Sequence, residues 1–233
     1  MWKSPRIALK LTGLLLIAAI IAYEGWIASR IVWWIDHNPQ TTAFMENRLQ
    51  LLQAKQFQAA LTHYWLSYNR ISPQLKRAVV ASEDAKFTQH NGFDWEGMQT
   101  ALEKDVKRGR IVAGGSTITQ QLAKNLFLSG NRTPWRKVQE AYITILLETM
   151  MDKRRILEMY LNTIEWGEDV FGAEAAARHY FGVSAAALSA EQAAQLAAMI
   201  PRPRYYDQRG ETSYLTNRTT AILAYMDSTV IPR

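Results

Sequence analysis

Cysteine is missing from the chain altogether. That excludes a disulfide framework, a thiol nucleophile and any zinc site built on thiolates, and it is compatible with life outside the cytoplasm. Acid is the scarcer charge: 21 Asp and Glu stand against 27 Lys and Arg, for a net charge of +6. A basic balance favours anionic partners. No clustered Lys/Arg arm and no nucleic-acid signature occurs, so no nucleic acid is expected, leaving acidic lipid headgroups or a phosphorylated substrate. There is no G-x-x-x-x-G-K-[ST] loop, no sustained period-2 run and no repeat. What is present is apolar residue, 48% of a 233-residue chain. That argues against disorder and suffices for one good core with a small second lobe.

Lys3, Arg6 and Lys10 precede an apolar run that continues without an acid to Tyr23. Counted from Ile7, with Lys10 snorkelling, the run has 17 residues, the lower edge of the roughly 17–25 that cross a bilayer. Gly25-Trp26-Ile27-Ala28 and Ile31-Val32-Trp33-Trp34-Ile35 continue it with tryptophans suited to the far interface. The basic residues place the N-terminus in the cytoplasm and the remainder outside. A cleaved signal peptide is the alternative, but no tidy A-x-A site precedes a polar mature start.

Three regions follow: an anchor at 1–35, a linker and membrane-proximal helical region at 36–71, and a catalytic domain at 72–233. Ala43 to Tyr68 carries helical periodicity. Ser72-Pro73 and Thr133-Pro134 each pair an N-cap with proline at the first helical position, opening helices over Gln74–Ala81 and Trp135–Met151. Ser189-Ala190-Glu191-Gln192 is a capping box, and Pro201 stops its helix. The chain reads as mainly α.

Three segments carry chemistry. In Gly114-Gly115-Ser116-Thr117-Ile118-Thr119-Gln120-Gln121-Leu122-Ala123-Lys124-Asn125, Thr117 and Gln120 fit a capping box after a glycine turn. Such a helix start is rich in donors for anionic oxygens, or is simply a well-capped helix. In the second, Glu83 and Asp84 end a helix, where acids oppose the dipole and need a reason. A general base in a partly apolar setting near Phe87 and Phe93 is one, while Asp84 could instead cap backbone or pair with a cation. His90, with no spaced partner, suits hydrogen-bonding support better than a metal. In the third, Lys137, Glu140, Thr144 and Glu148 form one polar stripe on an otherwise apolar helix. Glu140 is therefore either an active-site carboxylate or half of an ion pair with Arg136 or Lys137. The cations Lys124, Arg132, Arg136 and Lys137 suit a pyrophosphate leaving group, which needs charge and N–H donors more than a proton. Two carboxylates alone would also suit glycan cleavage, the lytic alternative.

Glu83-Asp84-x-x-Phe87-x-x-His90-x-Gly92, Gly114 to Asn125, Arg136-Lys137-x-x-Glu140, Lys153 to Asn162 and Gly167 to Gly182 occur in that order. From Ser72 to Asp207 this succession resembles the peptidoglycan glycosyltransferases of family fifty-one, specifically the monofunctional membrane-anchored transglycosylases. The resemblance implies a lysozyme-like helical lobe with a small membrane-associated jaw, in a single-pass protein of the bacterial inner membrane whose catalytic domain is periplasmic. It implies polymerisation of lipid II by inverting transfer, with Glu83 as general base and Glu140 as second carboxylate. Lys124, Arg132, Lys137, Ser116, Thr117, Gln120 and Gln121 would bind substrate, and Asp84, Phe87, His90, Gly114 and Gly115 would support the site. A divalent cation, Mg2+ or Mn2+, bridging the pyrophosphate is implied, with no organic cofactor. Expected partners are lipid II, the lipid-linked growing chain, membrane lipids and cell-wall synthesis or division proteins. No S-x-x-K module is present, so transpeptidation is not expected.

Overall fold

The computed structural model describes residues 5–108, 115–128 and 133–233, with the side chains of 5, 6, 102 and 104–108 left aside. It divides into two compact units, 1–37 and 38–233. The first is one helix, α1 (Pro5–Asp36), of 32 residues. Its stretch Ile7–Asp36, with mean hydropathy 1.9, is long and apolar enough to cross a membrane. At 1.5 Å per residue α1 exceeds the roughly 30 Å hydrocarbon core, so the helix runs through the predicted span and carries Trp33 and Trp34 beyond it.

The second unit is helical, with α2 (Ala43–Gln53), α3 (Pro73–Glu83), α4 (Trp95–Arg108), α5 (Ile118–Phe127), α6 (Pro134–Met150), α7 (Lys153–Thr163), α8 (Ala173–Phe181), α9 (Ala190–Met199), α10 (Pro203–Arg209) and α11 (Ser213–Met226). The predicted caps form. Ser72, Thr133 and Ser189 each accept a backbone N–H of the first turn, and Ser189 with Gln192 closes a capping box. The α3, α9 and α11 helices pack against one another, and α5 packs on α6, α7 and α2. Leu75, Val79 and Val80 are fully buried on α3, each contributing about 1.5–3 kcal/mol. The alanines at 193, 194, 197 and 198 of α9 are also fully buried, letting that helix approach α3 closely.

The helical reading of 43–68 holds only to Gln53. Beyond it the chain forms β1 (Thr62–His63), which joins β2 (Glu165–Gly167) and β3 (Val170–Phe171) in a sheet of order β1-β3-β2. Tertiary hydrogen bonds overrule the local period. Thr62 N–H donates to the Asp169 carbonyl at 2.9 Å. The Asn162 side chain accepts from Leu66 N–H at 2.8 Å and donates to the Leu66 carbonyl at 2.9 Å. An extended strand offers these groups outward; a helix would bond them internally.

Candidate active site

Glu83 closes α3 and Asp84 is its C-cap. The two adjacent acids have opposite surroundings. Asp84 is buried; its Oδ1 accepts from His90 Nε2 at 2.8 Å, and its Oδ2 accepts the Ile118 N–H at 3.0 Å. The anion that the donor-rich start of α5 takes is thus the chain's own Asp84, an electrostatic clamp between the end of α3 and the start of α5. His90 is a hydrogen-bonding support, stacked edge-on against the fully buried Phe87.

Glu83 keeps 11% of its side chain exposed, at the lip of a cleft of about 220 Å³ that Ser82, Gly115 and Ser116 also line. Its Oε2 accepts from Gln121 Nε2 at 3.0 Å, and its Oε1 accepts from Ser82 Oγ at 3.3 Å with Arg218 Nη2 at 3.6 Å. Burial pushes the Glu83 carboxyl above the ordinary range, while Gln121, Arg218, Ser82 and Lys124 partly oppose it.

The capping box at α5 forms as its sequence predicts. Thr117 Oγ1 accepts the Gln120 N–H at 3.2 Å and donates to the Gly92 carbonyl at 2.7 Å, and Gln120 Oε1 accepts the Thr117 N–H at 3.0 Å. Both residues are buried in this cap, and Thr117 also lines the cleft beside Ser116. Ser116 stays exposed at the cleft, and Gln121 faces Glu83. Gly114 and Arg132 lie outside the described residues.

On α6, Glu140 is buried and holds two cations, Arg136 Nη1 at 3.0 Å and Lys137 Nζ. The polar stripe is bonded partly within itself and partly to neighbouring helices. Thr144 Oγ1 donates to the Glu140 carbonyl, and Glu148 accepts from Thr119 and from Lys153 at 2.8 Å. Lys124, on α5, feels both catalytic candidates. Burial pulls its ammonium below the usual lysine range, and Glu140 and then Glu83 raise it again. Its side chain forms no hydrogen bond or ion pair among the described residues, leaving its N–H donors for an incoming anion. Among those residues no group of three or more His, Asp or Glu is placed to hold a metal ion.

Two site residues have no clear sequence signal. Arg218 arrives from α11, far along the chain, and binds both Ser82 Oγ at 3.0 Å and Glu83. Tyr160, on α7, reaches Gln121 through its hydroxyl at 2.9 Å. The remainder of its segment is architectural. Glu158 accepts from Trp65 Nε1 and pairs with Arg155, while Asn162 pins the Leu66 backbone just after β1.

A helical lobe with two buried carboxylates and a free ammonium between their fields is suited to glycosyl transfer from an anionic leaving group. The description "Transglycosylase" matches residues 50–227, and the chain belongs to that family. With membership comes the lysozyme-like helical architecture and glycosyltransferase activity. The chain is 58% identical over 219 residues to the biosynthetic peptidoglycan transglycosylase of Nitrosospira multiformis, covering 94% of this chain and 95% of that one. It is 60% identical over 217 residues to that of Laribacter hongkongensis, covering 93% and 95%, and 58% identical over 221 residues to that of Methylobacillus flagellatus, covering 94% and 96%.

Proposed function

We propose that this chain polymerises lipid II into linear glycan strands at a membrane surface, with Glu83 as the general base. The observation that carries the reading is Glu83 itself: buried enough to be basic, open to a cleft, and held by Gln121 and Arg218. Glu83 takes the proton of the acceptor sugar's 4-hydroxyl as that oxygen attacks C1 of the lipid-linked sugar. The C1–O bond to pyrophosphate breaks with inversion, and undecaprenyl pyrophosphate leaves with the bonding pair. Lys124 meets the developing phosphate charge, Ser116 contacts substrate at the cleft, and Lys137 contacts it from α6. Glu140 holds Arg136 and Lys137 in place on the donor side. The relatives' printed names describe biosynthetic enzymes, which favours polymerisation over cleavage.

A divalent cation, Mg2+ or Mn2+, enters this reading as a companion of the pyrophosphate oxygens. The described residues offer it no cage, both Glu140 oxygens already face cations, and no step is assigned to it. The chain is anchored by α1 with its N-terminus in the cytoplasm and its second unit in the periplasm. Trp135, Val138, Tyr142 and Ile145 form an exposed apolar stripe on α6, which supports contact with the bilayer by a small jaw. Cell-wall synthesis or division proteins are its expected protein partners.

The test is polymerisation of labelled lipid II in detergent. Wild type should give long polymer and Glu83→Gln none, with folding intact by circular dichroism; Glu140→Gln should fall in rate. Polymer surviving in Glu83→Gln would remove this mechanism.

A further inference from the structure

Tyr160, on α7, is fully buried and is not among the described residues that line the cleft. Its hydroxyl donates to Gln121 Oε1 at 2.9 Å, and Gln121 Nε2 donates to Glu83 Oε2 at 3.0 Å. The direction of this chain is forced from its far end. An ionised carboxylate only accepts hydrogen bonds, so the amide must turn its NH2 toward Glu83. The amide oxygen then faces Tyr160, which must donate. Burial, with Glu83 and Asp84 nearby, holds the phenol well above its ordinary pKa, so the proton stays on it.

We propose that Tyr160 is a positioning residue for the base: its buried hydroxyl locks the Gln121 amide with its N–H toward Glu83 and so keeps that carboxylate ionised at working pH. The inference rests on the assignment of Glu83 as base. The terminal torsion of glutamine is broad and roughly two-fold. Without the hydroxyl, the amide can turn over and set its oxygen against the Glu83 carboxylate, replacing a donor by a lone pair. The other groups facing Glu83 are Ser82 on its own helix, Lys124 on α5 and Arg218 on α11. A change at Tyr160 leaves all three in place, so its effect on the base must travel through Gln121. If Tyr160 only filled the core, removing its oxygen would change stability and leave the titration of the reaction alone.

The experiment is the pH dependence of kcat/KM for lipid II polymerisation by the full chain in detergent, for wild type, Tyr160→Phe, Gln121→Leu and the double variant. Loss of a donor to an ionised base raises the pKa of that base. Tyr160→Phe should therefore move the acidic limb of the profile up by about one pH unit, the size expected for a lost hydrogen bond to a charged group. Gln121→Leu should move it the same way by at least as much. In the Gln121→Leu background, Tyr160→Phe should then add no further shift. An unmoved limb in folded Tyr160→Phe, or an additive shift in the double variant, would overturn the relay. Should Tyr160→Phe not fold, Gln121→Leu carries the test alone, because an unmoved limb there also overturns it. Polymer from wild type with an unmoved limb sinks the relay alone; no polymer from folded wild type sinks the assignment of the base and the relay with it.

Discussion

Asp84→Ala should destabilise the catalytic unit more than any other single truncation of a polar group at the site. Asp84 makes two charge-assisted hydrogen bonds, to Ile118 N–H and to His90. Bonds of that kind contribute about 1.5–3 kcal/mol each, and removing the acceptor strands both donors in the interior. His90 Nδ1 already lacks a partner among the described residues, so the ring would lose its last one. Relief from burying the carboxylate offsets part of the sum, and the expected loss is about 3–5 kcal/mol. For a unit of this size that lowers Tm by roughly 6–20 °C. Asp84→Asn retains one acceptor for the α5 terminus and should fall between. Gln121 sits one turn into α5, so the polymerisation rate should drop more steeply than the folded fraction. Thermal unfolding followed by circular dichroism, paired with lipid II polymerisation, reads both effects. A loss under about 1 kcal/mol, or equal losses for Ala and Asn, would refute the clamp between α3 and α5.

Gly92→Ala should cost about 2–4 kcal/mol by denaturant unfolding, since its φ is +88° and a Cβ there would lie 2.7 Å from Thr144 Cγ2 and 3.1 Å from Glu148 Cγ. A burial-raised carboxyl stabilises the fold below its unfolded pKa and loses that contribution as pH rises through the folded value, so ionised Glu83 is a liability at neutral pH. Glu83→Gln should thus match or exceed wild-type Tm at neutral pH and lose that advantage on acidification below the carboxylate range; a variant less stable at neutral pH would contradict the burial argument. Lys124→Met should lower kcat/KM by roughly 100- to 1,000-fold without loss of Tm, because it removes a buried ammonium aimed at developing charge. A Tm drop as large as that of Asp84→Ala would make Lys124 structural.

The sequence alone determined every feature written in a few consecutive residues. The caps at Ser72, Thr117, Thr133 and Ser189, the long apolar first helix, and Glu83 and Asp84 at a helix end all follow from one-turn geometry. The family was legible too, because its segments recur in order and Transglycosylase matches most of the chain. What neighbouring residues contribute to one another was not legible. The capping box of Thr117 and Gln120 could be read locally, but only the fold ties Thr117 to the Gly92 carbonyl and sets it in the lining of the cleft. The period of 43–68 looked helical to its end, until Asn162 and Asp169 claimed the backbone of Leu66 and Thr62. The tertiary structure likewise decided which of two adjacent acids is tied to His90 and the start of α5 and which lines the cleft. It also brought Arg218 to Glu83 from α11 and Tyr160 to Gln121 from α7. A helix pattern specifies a face and not its occupant. Partners so far apart along the chain meet only when α3, α5, α7 and α11 pack, and burial then sets the charge that each carboxylate can carry.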